Sequence, residues 1–539
     1  RYGQEAIIRD ILAASPAHPA PHHFRIHTWD GKEGVQALDS CERYASLAID
    51  SGHANHMPGH VYSGVGMWHE AAIWMDRATR TEQAYMAKSL ALPFESWNYM
   101  HNRNYLSFIQ EQLGMPALSL AGARQLIAAP LDPHSNLAEG GTHSEGLTNL
   151  VRCLVKFERW DEILADGTVP WSDNPYDKLL RAYAEGLAHL GKGDVATAIT
   201  KQTEFRAAVA VAEAGEPRAG TEREPLRGPV AYMEQELAAG IALAQDNPLE
   251  AIRLLSNAAP MQAESYRHEN DPPQYPNLLY TVLGEVQLES GAPLLAAAAF
   301  RKTLDINLND AFALSGLARA EFAAGHRAKA QEAYSHLLHV WKNAEPGLRW
   351  MADAQRLGLQ NVPVDASPRP QRDYSAVVLD AFGPQSWAPY PAPGFEAVDA
   401  SGAQVTLAEY TGRPVLLVFY LGAECVHCVE QLDGLAKRKS DFESRDVALL
   451  AVSSEPVSVD GVDGLEELPF RVLSDPDHAT ARRYRAYDEF EDLPLHATIL
   501  IDKEGRMRWI RAGGDPFTDY DFLIKELDRI EQNEDLGGK

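Results

Sequence analysis

Four positions of this chain recur 34 residues apart: Gly284, Gly291, Ala296 and Phe300 reappear as Ala318, Gly325, Ala330 and Tyr334. A period of that length is one helical hairpin per repeat, in which small residues let paired helices approach and an aromatic ring fills the space between them. One such hairpin cannot bury its apolar face alone, so the period commits this part of the chain to stacked helices. Looser relatives of the pattern lie at Gly66 to Ala72 and from Leu190 to Ala198. From the start to about Leu357 the sequence runs helix after helix, rich in Ala and Leu, with Gly at turn positions.

Past Leu357 the character changes. Pro363, Pro368, Pro370, Pro384, Pro389, Pro391 and Pro393 mark an extended linker. Apolar runs and helical segments then alternate. Strands are expected at Val415 to Tyr420, Val447 to Ser453, Ala497 to Ile501 and Met507 to Ile510, and helices at about 429–444, 478–486 and 518–532. That order fits a central sheet flanked by helices. With 539 residues, 45% of them hydrophobic, the chain is long enough for several buried cores. Its formal net charge of -27 would repel phosphate backbones and anionic membrane surfaces, so nucleic acid is not an expected partner. No apolar run reaches the roughly 18 residues of a membrane-crossing helix, so no transmembrane segment is expected.

The chemistry concentrates in two places. Ala423-Glu424-Cys425-Val426-His427-Cys428 follows the apolar run Pro414 to Tyr420 and precedes a helical pattern starting near Val429. A Cys pair at a strand-to-helix turn is a redox arrangement, because a helix N-terminus stabilises the first thiolate. The chain has four cysteines, too few for a disulfide scaffold; Cys41 and Cys153 lie in helical patterns and read as buried apolar fillers.

The second place is histidine: His18, His22, His23 and His27, then His53, His56 and His60, then His101. The pairs His23/His27 and His56/His60 are spaced i,i+4, which on a helix stacks two imidazoles on one face, as in helical zinc sites. Two such helices would offer four nitrogens, with His101 as a fifth ligand and Asp30 or Glu95 as carboxylate partners of the rings. Pro19, Pro21 and Pro58 are expected to interrupt regular helix within these motifs, so that His56 and His60 share a helix only if it begins near Pro58. Three roles stay open for the cluster: metal ligation, hydrogen bonding between helices, or metal-free catalysis. His134, His143 and Glu145 fall in a Gly-rich loop, as does His268 near Pro272-Pro273, and solvated loops are the simpler reading of both.

Residues 391–532 resemble the redoxin branch of the thioredoxin superfamily. The resemblance rests on Pro391-Ala392-Pro393-Gly394-Phe395, the strand before Cys425-Val426-His427-Cys428, the Ser474-Asp475-Pro476 turn and the run from Ala497 to Gly505. As a whole the chain resembles bacterial proteins that fuse tetratricopeptide (TPR) repeats to a C-terminal redoxin domain. This implies an α-solenoid of TPR-like helical hairpins followed by an α/β thioredoxin-like domain. The expected divisions are a His-rich TPR-like region at 1–160, TPR-like repeats at 161–357, a Pro-rich linker at 358–390 and the redoxin domain at 391–535. It also implies protein clients or subunits on the TPR surface, or a small-molecule substrate. The sequence opens at Arg1-Tyr2-Gly3-Gln4 within an amphipathic helical pattern. We expect a preceding segment with an export signal, and a bacterial periplasmic or other extracytoplasmic location.

Departures from the family pattern carry information. Peroxiredoxins place a Pro and a Thr ahead of the peroxidatic Cys, whereas Cys425 follows Phe419-Tyr420-Leu421-Gly422-Ala423-Glu424, which points away from peroxidase chemistry. Thioredoxin-like proteins place a cis-proline before the strand that faces the Cys pair. Here the aligned residue is His496, and Pro494 lies two residues early unless a local shift makes it the cis residue. An imidazole beside both sulfurs would make Cys425, Cys428 and His496, with His427 as an extra ligand, a site for copper or, second, zinc. Cys-x-His-Cys oxidoreductases that work without metal use the same motif for disulfide exchange. The expectation is therefore a TPR-redoxin protein of redox function that binds a transition metal, copper before zinc. Its ligands are His23, His27, His56, His60, His101, Cys425, Cys428 and His496, with Cys425 and Cys428 catalytic. The alternatives are a metal-independent thiol-disulfide oxidoreductase whose TPR region recruits clients, and a non-enzymatic scaffold.

Overall fold

The computed structural model describes residues 1–31, 33–133, 141–214, 228–269, 271–365, 387–457 and 468–536. His134, Pro368, Pro370, Pro384 and the side chain of His268 lie outside them. The chain divides into two compact units. One comprises Arg1–Glu82, Trp97–Ile127 and Leu137–Ser386, and the other Gln83–Ser96, Ala128–Asn136 and Trp387–Lys539.

The first unit is helical among its described residues. The 34-residue period falls on two successive hairpins, Leu279–Glu289 with Pro293–Ile306 and Ala311–Ala323 with Arg327–Val340. Gly291 (φ +75°) and Gly325 (φ +80°) turn the chain in the left-handed region that favours glycine. Ala296 and Ala330 are fully buried, as is Phe300. The Phe300 ring lies so close over Gly284 and Gly316 that a Cβ at either would overlap it. Elsewhere the helices are tied by buried charge: Arg152 Nε donates to Glu111 Oε1 at 2.9 Å, with Lys156 Nζ 3.1 Å from Glu111 Oε2. Near the N-terminus, buried Glu5 accepts from Trp29 Nε1 at 2.7 Å and pairs with Arg9 and Arg25. Cys41 and Cys153 are buried and not joined in a disulfide, as their helical patterns led us to expect.

Proline behaves differently from expectation. Pro19 opens the helix Pro19–Trp29, where its missing N–H costs nothing, and Pro21 follows in the same first turn. Pro58 sits inside the helix Gly52–Gly64 without ending it. Its ring forfeits one internal hydrogen bond, but Ser51 caps the helix by accepting from the Ala54 N–H at 3.2 Å, and burial on most sides holds the rest. His56 and His60 therefore share a helix that begins well before Pro58. No helix among the described residues is long and apolar enough to cross a membrane.

The second unit contains an α/β domain. Its main strands are β1 (Tyr390–Pro391), β2 (Glu396–Asp399), β3 (Gln404–Thr406), β4 (Val415–Phe419), β5 (Ala448–Ser453) and β6 (Arg471–Ser474), with a separate two-stranded ribbon of β7 (Tyr487–Asp488) and β8 (Leu493–Pro494). β9 (His496–Ile501) and β10 (Arg506–Gly513) complete an eight-stranded sheet in the order β1-β10-β9-β4-β5-β6-β2-β3. β4, β5 and β6 are parallel, while β9 runs antiparallel to both β4 and β10. Every residue of β4, β5 and β9 is buried, which is why these strands read as unbroken apolar runs rather than alternating ones. Between β4 and β5 the chain crosses over through the helix Val426–Lys437 and the short helix Lys439–Glu443, where one continuous helix was expected. Tyr390, assigned from sequence to the end of the linker, instead pairs with Met507 in the sheet.

Candidate redox site and histidine cluster

Parallel strand β4 delivers the chain to the N-terminus of the helix Val426–Lys437, and Cys425 is that helix's N-cap. Its sulfur accepts from the Cys428 N–H at 3.2 Å, an amide shared with the Cys425 carbonyl, so the helix dipole and a first-turn N–H both act on it. The turn is shaped by Gly422, at φ +141°, and by Glu455, whose Oε2 accepts from the Ala423 N–H at 2.9 Å. Cys425 and Cys428 are joined as a disulfide. Cys428 is fully buried while Cys425 is partly open to solvent, so the two sulfurs differ in reach.

His496 opens β9 and faces this pair. Its Nε2 lies 3.1 Å from Cys428 Sγ and 3.6 Å from Cys425 Sγ. Burial pushes the His496 pKa down, which favours the neutral imidazole. Thr498, two residues on and hence on the same strand face, accepts from Gln431 Nε2 at 3.1 Å, and Gln431 also donates to the Phe517 carbonyl at 2.8 Å. That buried bridge fixes the cysteine helix against β9 and sets the depth at which His496 meets the sulfurs. Two expectations need correction. His427 points into solvent, its side chain 76% exposed and its Nδ1 3.3 Å from Glu430 Oε2, so it does not join the sulfurs. Pro494 pairs in β8 with Tyr487, and the cis peptide bond among the described residues precedes Pro272, so no local shift brings Pro494 into the facing position.

In the first unit the histidines form two triads. His23 and His27 stand one turn apart on the helix Pro19–Trp29. His23 Nε2 lies 2.9 Å from His27 Nε2 and 2.8 Å from the Nε2 of His53, a residue not counted as a ligand from sequence. His56 and His60 meet His101 of the helix Trp97–Gln112, with His60 Nε2 3.0 Å from His101 Nε2. In each triad the three candidate ligand atoms lie within 4.8 Å of one another, and the same holds for Cys425, Cys428 and His496. The His53 and His56 rings, 4.7 Å apart, join the two triads.

Neighbouring residues orient the rings. His56 Nδ1 is 3.0 Å from Asn102 Oδ1, His60 Nδ1 is 3.3 Å from Asp271 Oδ1, Trp97 stacks on His101 and Tyr44 on His23. Burial, with other imidazoles of the two triads second, takes His60 and His101 down to about 3 and His23 to about 4, and pushes His56 well down. Asn102 and Asp271 carried no sequence signal for this role. Glu95, which was expected to serve it, instead accepts from the Leu92 N–H at 2.8 Å and pairs with Arg485. The structural reading of histidine holds for two others. His18 caps its helix by accepting from the Ala20 N–H, and His22 spends both nitrogens on Ser40 Oγ and the Pro16 carbonyl. His143 lies in the first turn of the helix Thr142–Lys156, where Glu145 accepts from Asn104 Nδ2 at 2.6 Å, so neither belongs to an open loop.

A helix-capping Cys pair after a buried parallel strand, faced by the start of an antiparallel one, defines a thioredoxin-like redox domain. Comparison with known proteins agrees and narrows it: the profile of the AhpC/TSA family matches residues 389–510. A Mycobacterium tuberculosis protein provisionally named a peroxiredoxin is 28% identical over 123 residues, 22% of this chain and 78% of the relative. Peroxiredoxin 2 of Thermoplasma acidophilum is 29% identical over 150 residues, 26% of this chain and 75% of the relative. Peroxiredoxin TSA1-B of Candida albicans is 30% identical over 131 residues, 22% of this chain and 67% of the relative. The solved structure of reduced Plasmodium vivax 2-Cys peroxiredoxin aligns at 24% identity and a TM-score of 0.24, covering 28% of this chain and 98% of that one. Through its C-terminal domain the chain belongs to the AhpC/TSA family.

Proposed function

We propose that the C-terminal domain is a metal-independent thiol-disulfide oxidoreductase and that the helical unit, as a TPR-like solenoid, recruits its protein clients. The observation that carries this reading is the pairing of a partly exposed, helix-capping Cys425 with a fully buried Cys428 beside a neutral imidazole. In the reduced form the Cys425 thiolate attacks one sulfur of a substrate disulfide, forming a mixed disulfide and releasing the first substrate thiolate. Cys428, its proton taken by His496 Nε2, then attacks Cys425 Sγ. The internal disulfide forms, the second substrate thiol leaves, and two electrons have passed from the Cys pair to the substrate. An external dithiol restores the reduced form, and with an oxidised starting pair the same steps run in reverse.

The test is reduction of insulin, and oxidation of a reduced client, by the full chain in the presence of a metal chelator. Activity that persists with chelator and disappears in Cys425→Ser supports the reading; activity retained in Cys425→Ser, or lost to chelator alone, overturns it. The names of the relatives favour a second reading, reduction of peroxide at Cys425. Hydrogen peroxide consumption that depends on Cys425 but not on Cys428 would replace the first reading with this one.

A further inference from the structure

The six histidines of the two triads are not used by the redox site. A neutral imidazole has one N–H and one lone pair, so three Nε2 atoms crowded around His23 cannot all be satisfied by hydrogen bonds to one another. In the second triad, His56 and His60 turn Nδ1 toward Asn102 and Asp271. If the proton sits there, Nε2 carries the lone pair toward the other rings. Lone pairs converging from three neutral imidazoles are the donor set of a metal ion. Metal-nitrogen bonds of about 2.0–2.1 Å in tetrahedral geometry separate ligand nitrogens by about 3.3 Å, so the 2.8–3.0 Å contacts need to open by only a few tenths of an ångström. Three protein ligands also leave an open position, as in sites that bind a further small molecule.

We propose that His23, His27 and His53, with His56, His60 and His101, form a paired centre for two late first-row transition-metal ions, copper held most tightly and zinc next, three imidazoles to each ion. An all-imidazole set suits copper and zinc, whereas magnesium and calcium take oxygen ligands. The adjoining His53 and His56 rings place the two sites side by side. Asn102 and Asp271 are positioning residues: they fix which nitrogen of His56 and His60 is free.

The experiment uses the full chain without a histidine tag and with Cys425→Ser/Cys428→Ser, so that thiols hold no metal. The protein is stripped with chelator and loaded separately with copper(II) and zinc(II), then desalted, and its metal is counted by elemental mass spectrometry alongside copper electron paramagnetic resonance. Two copper ions per chain, with nitrogen splittings in the spectrum, are expected. His27→Gln changes an exposed ligand and therefore leaves folding intact; it should remove one ion, and His60→Gln/His101→Gln the other. Asn102→Ala should weaken copper binding about 10- to 100-fold with the count at saturation unchanged. Loaded protein that keeps less than half an ion per chain overturns the proposal, as does a count unaffected in both histidine variants when circular dichroism shows them folded. Two zinc ions with no retained copper overturn the order of preference.

Discussion

Replacing His496 by Ala removes the side chain that touches both sulfurs, at 3.1 Å from Cys428 and 3.6 Å from Cys425. A hydrogen bond to a charged partner is worth about 1.5–3 kcal/mol, and at about 1.36 kcal/mol per pKa unit its loss should raise the lower thiol pKa of the reduced pair by about 1–2 units. The Leu421 N–H on Cys428 Sγ and the Cys428 N–H on Cys425 Sγ remain, so the effect should not exceed that range. The thiolate fraction at neutral pH then falls about 10- to 100-fold, but a more basic thiolate is a better nucleophile, so the exchange rate should drop only roughly 3- to 15-fold. The assay is thiolate absorbance and iodoacetamide alkylation against pH, together with the rate of mixed-disulfide formation. His496→Gln, which keeps an N–H donor but cannot take the Cys428 proton, should recover most of the pKa difference and little of the rate at which Cys428 closes the internal disulfide. A thiol pKa in folded His496→Ala within about 0.3 unit of the parent would refute the assigned role.

Three further outcomes follow from the packing. Phe300→Ala, which empties the space over Gly284 and Gly316, should cost about 3–5 kcal/mol in urea unfolding of the helical unit; a cost below about 1 kcal/mol would contradict the packing described. Burial raises the Glu5 pKa, but the hydrogen bonds from Trp29, Arg9 and Arg25 outweigh it and leave the group below its ordinary 4.5. Its contribution is then full above that value and fades as pH falls through the native one, so Glu5→Gln should flatten the acid side of the melting-temperature profile between about pH 5 and 3. Gly422→Ala puts a side chain at φ +141° and against the Glu455 carboxylate. It should cost about 1–3 kcal/mol and slow disulfide turnover, and unchanged turnover would show that the turn is not held as tightly as described.

Much of the redox domain is legible from residues alone. β4, β5 and β9 are buried on both faces and so declare themselves as apolar runs, and the Cys pair marks the strand-to-helix turn between two of them. The short strands β2, β3 and β6 escape notice, because three or four residues of mixed burial leave too little periodicity to read. The helical period locates the hairpins at 279–340, since it records a small residue, Gly284, that must sit under the Phe300 ring.

What sequence by itself determined is local: the i,i+4 spacing of His23/His27 and His56/His60, the Cys-x-x-Cys turn and His496 at the head of a strand, all fixed by helix and strand geometry within a few residues. Tertiary structure decided what those residues meet. His53 completes a triad, Asn102 and Asp271 take the Nδ1 atoms, His427 turns to solvent, and Pro58 passes through a helix that its neighbours hold together. The histidine contacts among them join residues 30 to about 210 positions apart in the chain and follow from how helices pack. No local pattern encodes such packing.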